Sequence, residues 1–122
     1  MSGLVESSAD ARSKTIGQNF RVRAWVNFNG STYATLASGN VTSVTDPGGG
    51  AGRYQVNFQK PMYTSSYAVV VSDNHNNDSF TTGANRGMNN IRTRNVSYVQ
   101  CQTLEDGGGQ VDVNSIYLIV VC

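Results

Sequence analysis

Turn-forming residues recur every eight to twelve residues in this chain, and that spacing most limits what the chain can fold into. Examples are Asn29-Gly30, Ser38-Gly39-Asn40 and a run from Asp46 to Gly52 that holds four glycines and a proline. Glycine and asparagine tolerate the backbone angles of tight turns, and proline cannot continue a central strand. Short segments between such turns predict an antiparallel sandwich or barrel.

Apolar and polar residues alternate between the turns, as they do in strands with one buried face. In the first such segment Phe20, Val22, Ala24, Val26 and Phe28 share one face. No segment has a helical period, so we predict an all-β antiparallel sandwich of seven to eight strands. The predicted strands lie at residues 20–28, 31–37, 41–45, 53–59, 67–72, 91–96, 98–103 and 111–122.

The length of 122 residues fits one domain, which we place at residues 20–122. Residues 1–19 show no regular period and are predicted to be an extended arm or linker. The net charge of +1 gives no overall field to attract nucleic acid or an anionic membrane. The polar first twenty residues lack a leader pattern, and no long apolar run is present, so we expect cytoplasmic synthesis and no membrane insertion.

Catalytic patterns are missing from the sequence. His75 is the sole histidine, and Glu6 and Glu105 both lie in segments predicted to be flexible. The sequence has no G-x-S-x-G or H-E-x-x-H motif and no phosphate-binding glycine loop. The spacing of Asp73 and Asp78 does not match a calcium loop. We therefore predict a protein that is not an enzyme and that needs no cofactor or metal.

Residues 73–90 form a long polar segment, and such loops in small domains usually bind something. Asparagine and aspartate side chains offer donors and acceptors for sugar hydroxyls, and aromatic rings stack on sugars. A loop rich in local turns is the alternative. The predicted ligand contacts are Asp73, Asn74, His75, Asn76, Asn77, Asp78 and Arg86. The candidate aromatic partners are Tyr63, Tyr67, Phe80 and Tyr98.

The segment at residues 67–72 is apolar on both faces, as expected of a central strand that is covered on both sides. The end of the last segment, residues 116–122, is also apolar on both faces and therefore needs two covers. One cover is the domain core, and the other is either a second sheet or a neighbouring subunit. The first strand carries arginines and a tryptophan on its polar face, and Arg92 and Arg94 would share that surface if the two strands were neighbours. A solvated sheet face is the alternative. The predicted subunit interface comprises Arg21, Arg23, Trp25, Tyr117, Ile119 and Val120.

The two cysteines, Cys101 and Cys122, both lie in apolar strand segments. They form either a disulfide between strands or two separate buried thiols. Cytoplasmic synthesis keeps thiols reduced, so it favours the second interpretation.

Several runs resemble a small β-sandwich domain of bacteriophage virion proteins, of the kind found in cyanophages. The runs are Arg23-Ala-Trp-Val-Asn-Phe-Asn-Gly30, residues 37–46 (ASGNVTSVTD), Tyr54-Gln-Val-Asn-Phe58 and Ser66-Tyr-Ala-Val-Val70. The likeness is close over residues 23–70. The strand order after Arg53 is also loosely similar to the H-type lectin fold.

The resemblance implies a non-enzymatic protein of the virion surface that forms homotrimers. Such domains occur in tail fibres, where they bind receptors, and in stand-alone capsid-decorating (cement) proteins. The implied partners are copies of the same chain, other capsid or tail proteins and a host surface glycan. The alternative is a carbohydrate-binding, lectin-like module outside a virion.

Overall fold

The computed structural model describes residues 21–74, 88–104, 109–110 and 112–122. These residues contain eight strands and no helix, and so no helix that could cross a membrane. The strands are β1 (Val22–Phe28), β2 (Thr35–Gly39), β3 (Val41–Thr45), β4 (Arg53–Phe58), β5 (Ala68–Asn74), β6 (Met88–Arg94), β7 (Tyr98–Leu104) and β8 (Ser115–Val121).

The strands form two antiparallel sheets of four. Sheet I has the order β2-β1-β8-β5, and sheet II has the order β3-β4-β7-β6. β2 and β3 are consecutive in the chain but belong to different sheets, because the chain reverses at Asn40, whose φ is +57°. The prediction of an all-β antiparallel fold is confirmed, and the two facing sheets fit a β-sandwich.

One hydrophobic core lies between the sheets and takes alternate residues from the central strands. Aromatic rings join the two layers: Phe28 meets Tyr54 edge-on at 5.2 Å, and Phe58 meets Tyr67 edge-on at 6.0 Å between ring centres. The strand residues in this core are Ala24, Val26, Phe28, Val44, Tyr54, Val56, Phe58, Val99, Cys101, Ile116, Leu118 and Val120. Successive side chains of a strand point to opposite faces of the sheet, so alternate residues lie in the core.

Burial raises the pKa values of two ionisable core groups. It raises the pKa of the Cys101 thiol to about 12 and, as the largest influence, raises the pKa of Tyr54 to about 12. Cys101 and Cys122 are both buried and unpaired, in agreement with the interpretation as separate thiols. Tyr67 is fully buried, and its hydroxyl lies 2.9 Å from the carbonyl oxygens of Asn95 and Tyr98.

Two strand predictions were wrong in their details. A bulge between Val22 and Ala24 reverses the alternation of β1, so Val22 is 57% exposed instead of sharing the core with Ala24. The apolar run of β5 predicted a central strand, but β5 is an edge strand of sheet I. Its Val69 and Val71 are half-buried against the core, whereas Val70 is 64% exposed on the opposite face.

The turn after β1 is longer than the predicted two residues. The Asn29 side chain accepts hydrogen bonds from the backbone N–H groups of Ser31 (2.8 Å) and Thr32 (3.2 Å). The left-handed residue is Tyr33, with φ of +64°, rather than Asn29 or Gly30. Tyr33 is held there because its ring packs against Tyr54 and its hydroxyl donates to the Arg53 carbonyl oxygen at 3.1 Å.

Candidate functional site

The predicted ligand loop is only partly within the described residues. Asp73 and Asn74 extend β5 instead of starting a loop. The other predicted contacts lie outside the described residues, namely His75, Asn76, Asn77, Asp78 and Arg86. Among the candidate aromatic partners, Phe80 also lies outside them, and Tyr67 is in the core, where it cannot reach a ligand.

Asp73 lies at the end of β5 opposite Ile116, which is a core residue of β8. Its Oδ2 atom is buried and has no hydrogen-bond partner among the described residues. Asn89 of β6 likewise has a buried, unpartnered Oδ1. β5 and β6 are each an edge strand of their sheet, and the two strands contact each other. The described residues hold no cluster of three or more metal-ligating side chains.

The four arginines considered in the sequence do not share one surface. Arg23 belongs to β1 of sheet I, whereas Arg92 and Arg94 belong to β6 of sheet II. Arg94 donates to the carbonyl oxygen of Tyr67 at 3.4 Å, and Arg23 donates through Nε to the carbonyl oxygen of Cys122 at 3.1 Å. The hypothesis of a combined arginine and tryptophan patch was wrong, because its strands lie in different sheets.

The outer side of sheet I carries a row of exposed apolar side chains. Trp25 of β1 pairs with Ile119 of β8, and Ile119 pairs with Val70 of β5. These three side chains are 42%, 41% and 64% exposed. Tyr117, two residues before Ile119 on β8, is 39% exposed and points to the same side. We call Trp25, Val70, Tyr117 and Ile119 the outer apolar face.

The indole of Trp25 extends the outer apolar face toward the edge strand β2. Gly39 of β2 is the register partner of Trp25, and a Cβ atom at Gly39 would collide with the indole ring. The ring therefore lies over Gly39, where the lack of a side chain leaves room for it. Trp25 and its neighbours on three further strands thus form a continuous surface.

Charged residues are missing from the two strand rows that carry the outer apolar face. The first row is Gly39, Trp25, Ile119 and Val70, and the second row is Ala37, Asn27, Tyr117 and Ser72. Exposed aromatic and aliphatic side chains without charges are typical of the buried centre of protein interfaces. Contiguous apolar patches larger than a few hundred Å² on a domain surface mark sites of interaction.

Three of the predicted interface residues, Trp25, Tyr117 and Ile119, therefore lie together. Val120 does not join them, because the alternation of β8 turns it into the core, where it is fully buried. Its inclusion in the predicted interface was wrong for that reason. Arg21 and Arg23 lie at the start of β1, where Arg21 and Cys122 exchange backbone hydrogen bonds of 3.3 and 3.1 Å. Val70 is not among the predicted interface residues, because the apolar run at residues 67–72 predicted a strand covered on both sides within the domain.

Comparisons with known proteins add no relative to this picture. No family model matches the chain, and no curated protein or solved structure is similar to it at a significant level. The comparisons therefore do not support the expected resemblance to phage virion domains, which stays a prediction from the sequence. A two-sheet fold serves many functions, so function has to be argued from surfaces.

Proposed function

We propose that this domain is a non-enzymatic adhesion module of a phage virion surface, assembled as a homotrimer through the outer apolar face. The observation that carries the proposal is the continuous, uncharged and aromatic-containing surface formed by Trp25, Ile119, Val70 and Tyr117. Burial of such a surface is favourable by about 25 cal/mol per Å². In the assembly, neighbouring copies cover the outer apolar face, so that both apolar sides of β8 are covered.

A second copy of the same chain suits the outer apolar face better than other occupants. Any two parts of a face can meet without like-charge repulsion when the face carries no charged residue, and these two strand rows carry none. The segment before Arg21 is a poorer cover, because its few large apolar residues are interspersed with four charged residues. Those residues are Glu6, Asp10, Arg12 and Lys14.

The trimer is the symmetry that the resemblance to phage domains implies. In a threefold assembly each outer apolar face would contact two neighbours around the axis, with unlike parts of the face in contact. The ring closes, so no apolar surface is left to recruit further copies. The opposite sheet and the loops then remain available for a receptor or for the capsid lattice.

The virion context is supported by the runs that resemble phage virion domains, above all Arg23-Ala-Trp-Val-Asn-Phe-Asn-Gly30. Trp25 forms part of the outer apolar face, Phe28 is in the core, and Gly30 packs closely against β8. Both roles of such domains, receptor binding in a tail fibre and capsid decoration as a cement protein, need a rigid multimeric module.

The abundance of the protein in purified particles tests the virion proposal. We expect quantitative mass spectrometry to find the chain at a fixed ratio to the major coat protein. A copy number close to that of the coat protein would indicate capsid decoration, and a much smaller fixed copy number would indicate a tail fibre. If the chain is absent from particles that are made while it is expressed, the virion proposal is wrong and the lectin-like alternative remains.

A further inference from the structure

A cleft that was not predicted from the sequence lies beside the start of β1. It has a volume of about 620 Å³, which is within the usual range for small-ligand sites. It lies between β1, the β2–β3 turn and the segment that follows β4. Its lining residues are Val22, Arg23, Asn40, Gln59, Lys60, Pro61, Met62 and Tyr63. No acidic residue is among them.

Asn40 holds the two sides of the cleft together. Its amide nitrogen donates to the carbonyl oxygens of Arg23 (2.9 Å) and Lys60 (3.1 Å), and its amide oxygen accepts from the Lys60 N–H at 2.7 Å. The backbone of Asn40 accepts a further bond from Gln59 at 3.1 Å. The Asn40 side chain thus links the backbone of Arg23 to the backbone of Lys60.

The cleft combines an exposed aromatic ring with positive charge. Tyr63 is 65% exposed, and the guanidinium of Arg23 lies 5.6 Å from its ring centre. Arg23 is oriented by its hydrogen bond to the Cys122 carbonyl oxygen, and Lys60 is exposed on the other side of Asn40. Met62 is buried beneath them and is anchored by a 2.7 Å backbone bond to Val96.

We infer that this cleft binds a sugar that carries a carboxylate, such as a uronic or sialic acid. A sugar ring has an apolar face that packs on an aromatic ring, here on the side of the Tyr63 ring away from the Arg23 guanidinium, and its hydroxyl groups suit the amide of Gln59. The exposed ammonium group of Lys60 would attract its carboxylate. The inference rests on the proposed adhesion function and gives it a receptor class, at a place that none of the predicted loop contacts lines.

A second cleft offers a matched comparison. It is lined by Ser65, Ser66, Ile91, Arg92, Thr93 and Arg94, so it has two positive charges and several hydroxyl groups but no aromatic ring. If simple charge attraction were enough, both clefts would bind the same anions. If binding also requires an aromatic ring, only the cleft with Tyr63 binds an acidic sugar. Arg92→Gln removes a positive charge from the second cleft and is therefore the control for Lys60→Gln.

The test is an NMR titration of the ¹⁵N-labelled protein with trigalacturonate, a hyaluronan hexasaccharide and sialyllactose. We expect at least one to shift the amide signals of Gln59, Lys60 and Tyr63, with a Kd on the order of 1 mM. Tyr63→Ala should weaken binding about tenfold and Lys60→Gln about threefold, whereas Arg92→Gln should leave it unchanged. Methyl-esterified trigalacturonate, which lacks the charge, should bind more weakly than the acid.

Four results would overturn the inference: no shift with any acidic sugar up to about 10 mM, equal binding of the methyl ester, shifts confined to the Arg92 cleft, or preferential binding of a single-stranded oligothymidylate. The last result would indicate a nucleic-acid site instead. Failure here is distinguishable from failure of the proposed assembly, because the mass of the protein in solution is measured separately and does not depend on the cleft.

Discussion

Replacement of Val120 by aspartate is expected to unfold the domain. Val120 is fully buried on the inner side of β8, between Val69 of β5 and Ala24 of β1. A carboxylate there would lose its hydrating water and would have no opposite charge or hydrogen-bond donor to compensate for that loss. The loss of stability should be comparable to the whole free energy of unfolding of such a domain, about 5 to 15 kcal/mol.

The neighbouring substitution Ile119→Asp is the matched control, because it places the same charge one residue earlier on the same strand. Ile119 points outward and is 41% exposed, so the carboxylate stays hydrated and the monomer should lose only about 1 kcal/mol. Circular dichroism and urea unfolding should show a folded Ile119→Asp protein and an unfolded Val120→Asp protein. A folded Val120→Asp protein would show that the register of β8 is wrong.

Replacement of Gly30 by alanine is the second change with a large expected effect. A Cβ atom at Gly30 would collide with the backbone carbonyl oxygen of Val113 and would lie 2.5 Å from the Tyr54 hydroxyl and 2.8 Å from Cδ1 of Ile116. These distances are far below the 3.5 to 4.0 Å at which non-bonded carbon atoms pack best. Because one obstacle is backbone, we expect a loss of about 3 kcal/mol in the free energy of unfolding.

Gly39→Ala is the contrasting variant for that measurement. Its added methyl group would meet only the indole of Trp25, which is a side chain and can rotate away. In urea unfolding, the Gly30→Ala protein should therefore be much less stable than the Gly39→Ala protein. The Gly39→Ala substitution should change the fluorescence of Trp25. Wild-type stability for Gly30→Ala would contradict the close approach of the first turn to β8.

The strands were predictable because their hydrophobic patterns are local. β3 was predicted with its observed bounds, and the inward residues of β4 and of the second half of β1 followed directly from the alternation. The bulge at the start of β1 was not predictable, because a bulge depends on pairing with the distant strand β8. The edge position of β5 was also not predictable, because the order of strands in a sheet depends on contacts between residues far apart in sequence.

The candidate site was predicted in part for a similar reason. A strand with two apolar faces indicates that something covers the second face, and this directed attention to Tyr117 and Ile119, which the structure places on the outer side of sheet I. Val120 was assigned to the wrong face because every residue from Ile116 to Val121 of β8 is apolar, so the pattern does not show which residues point inward. The cleft beside Asn40 was not predictable, because Arg23, Asn40 and Lys60 are distant in the chain and no motif links them.

The most direct test of the central claim is the mass of the protein in solution by light scattering, measured for wild type, Val70→Asp and Val96→Asp. Val70 is on the outer apolar face, and Val96 is an exposed valine in the β6–β7 turn. We predict a mass three times that of the 13.1 kDa chain for wild type and Val96→Asp, and the mass of a single folded chain for Val70→Asp. A single-chain mass for the wild type at all concentrations, or an unchanged assembly in Val70→Asp, would contradict the claim.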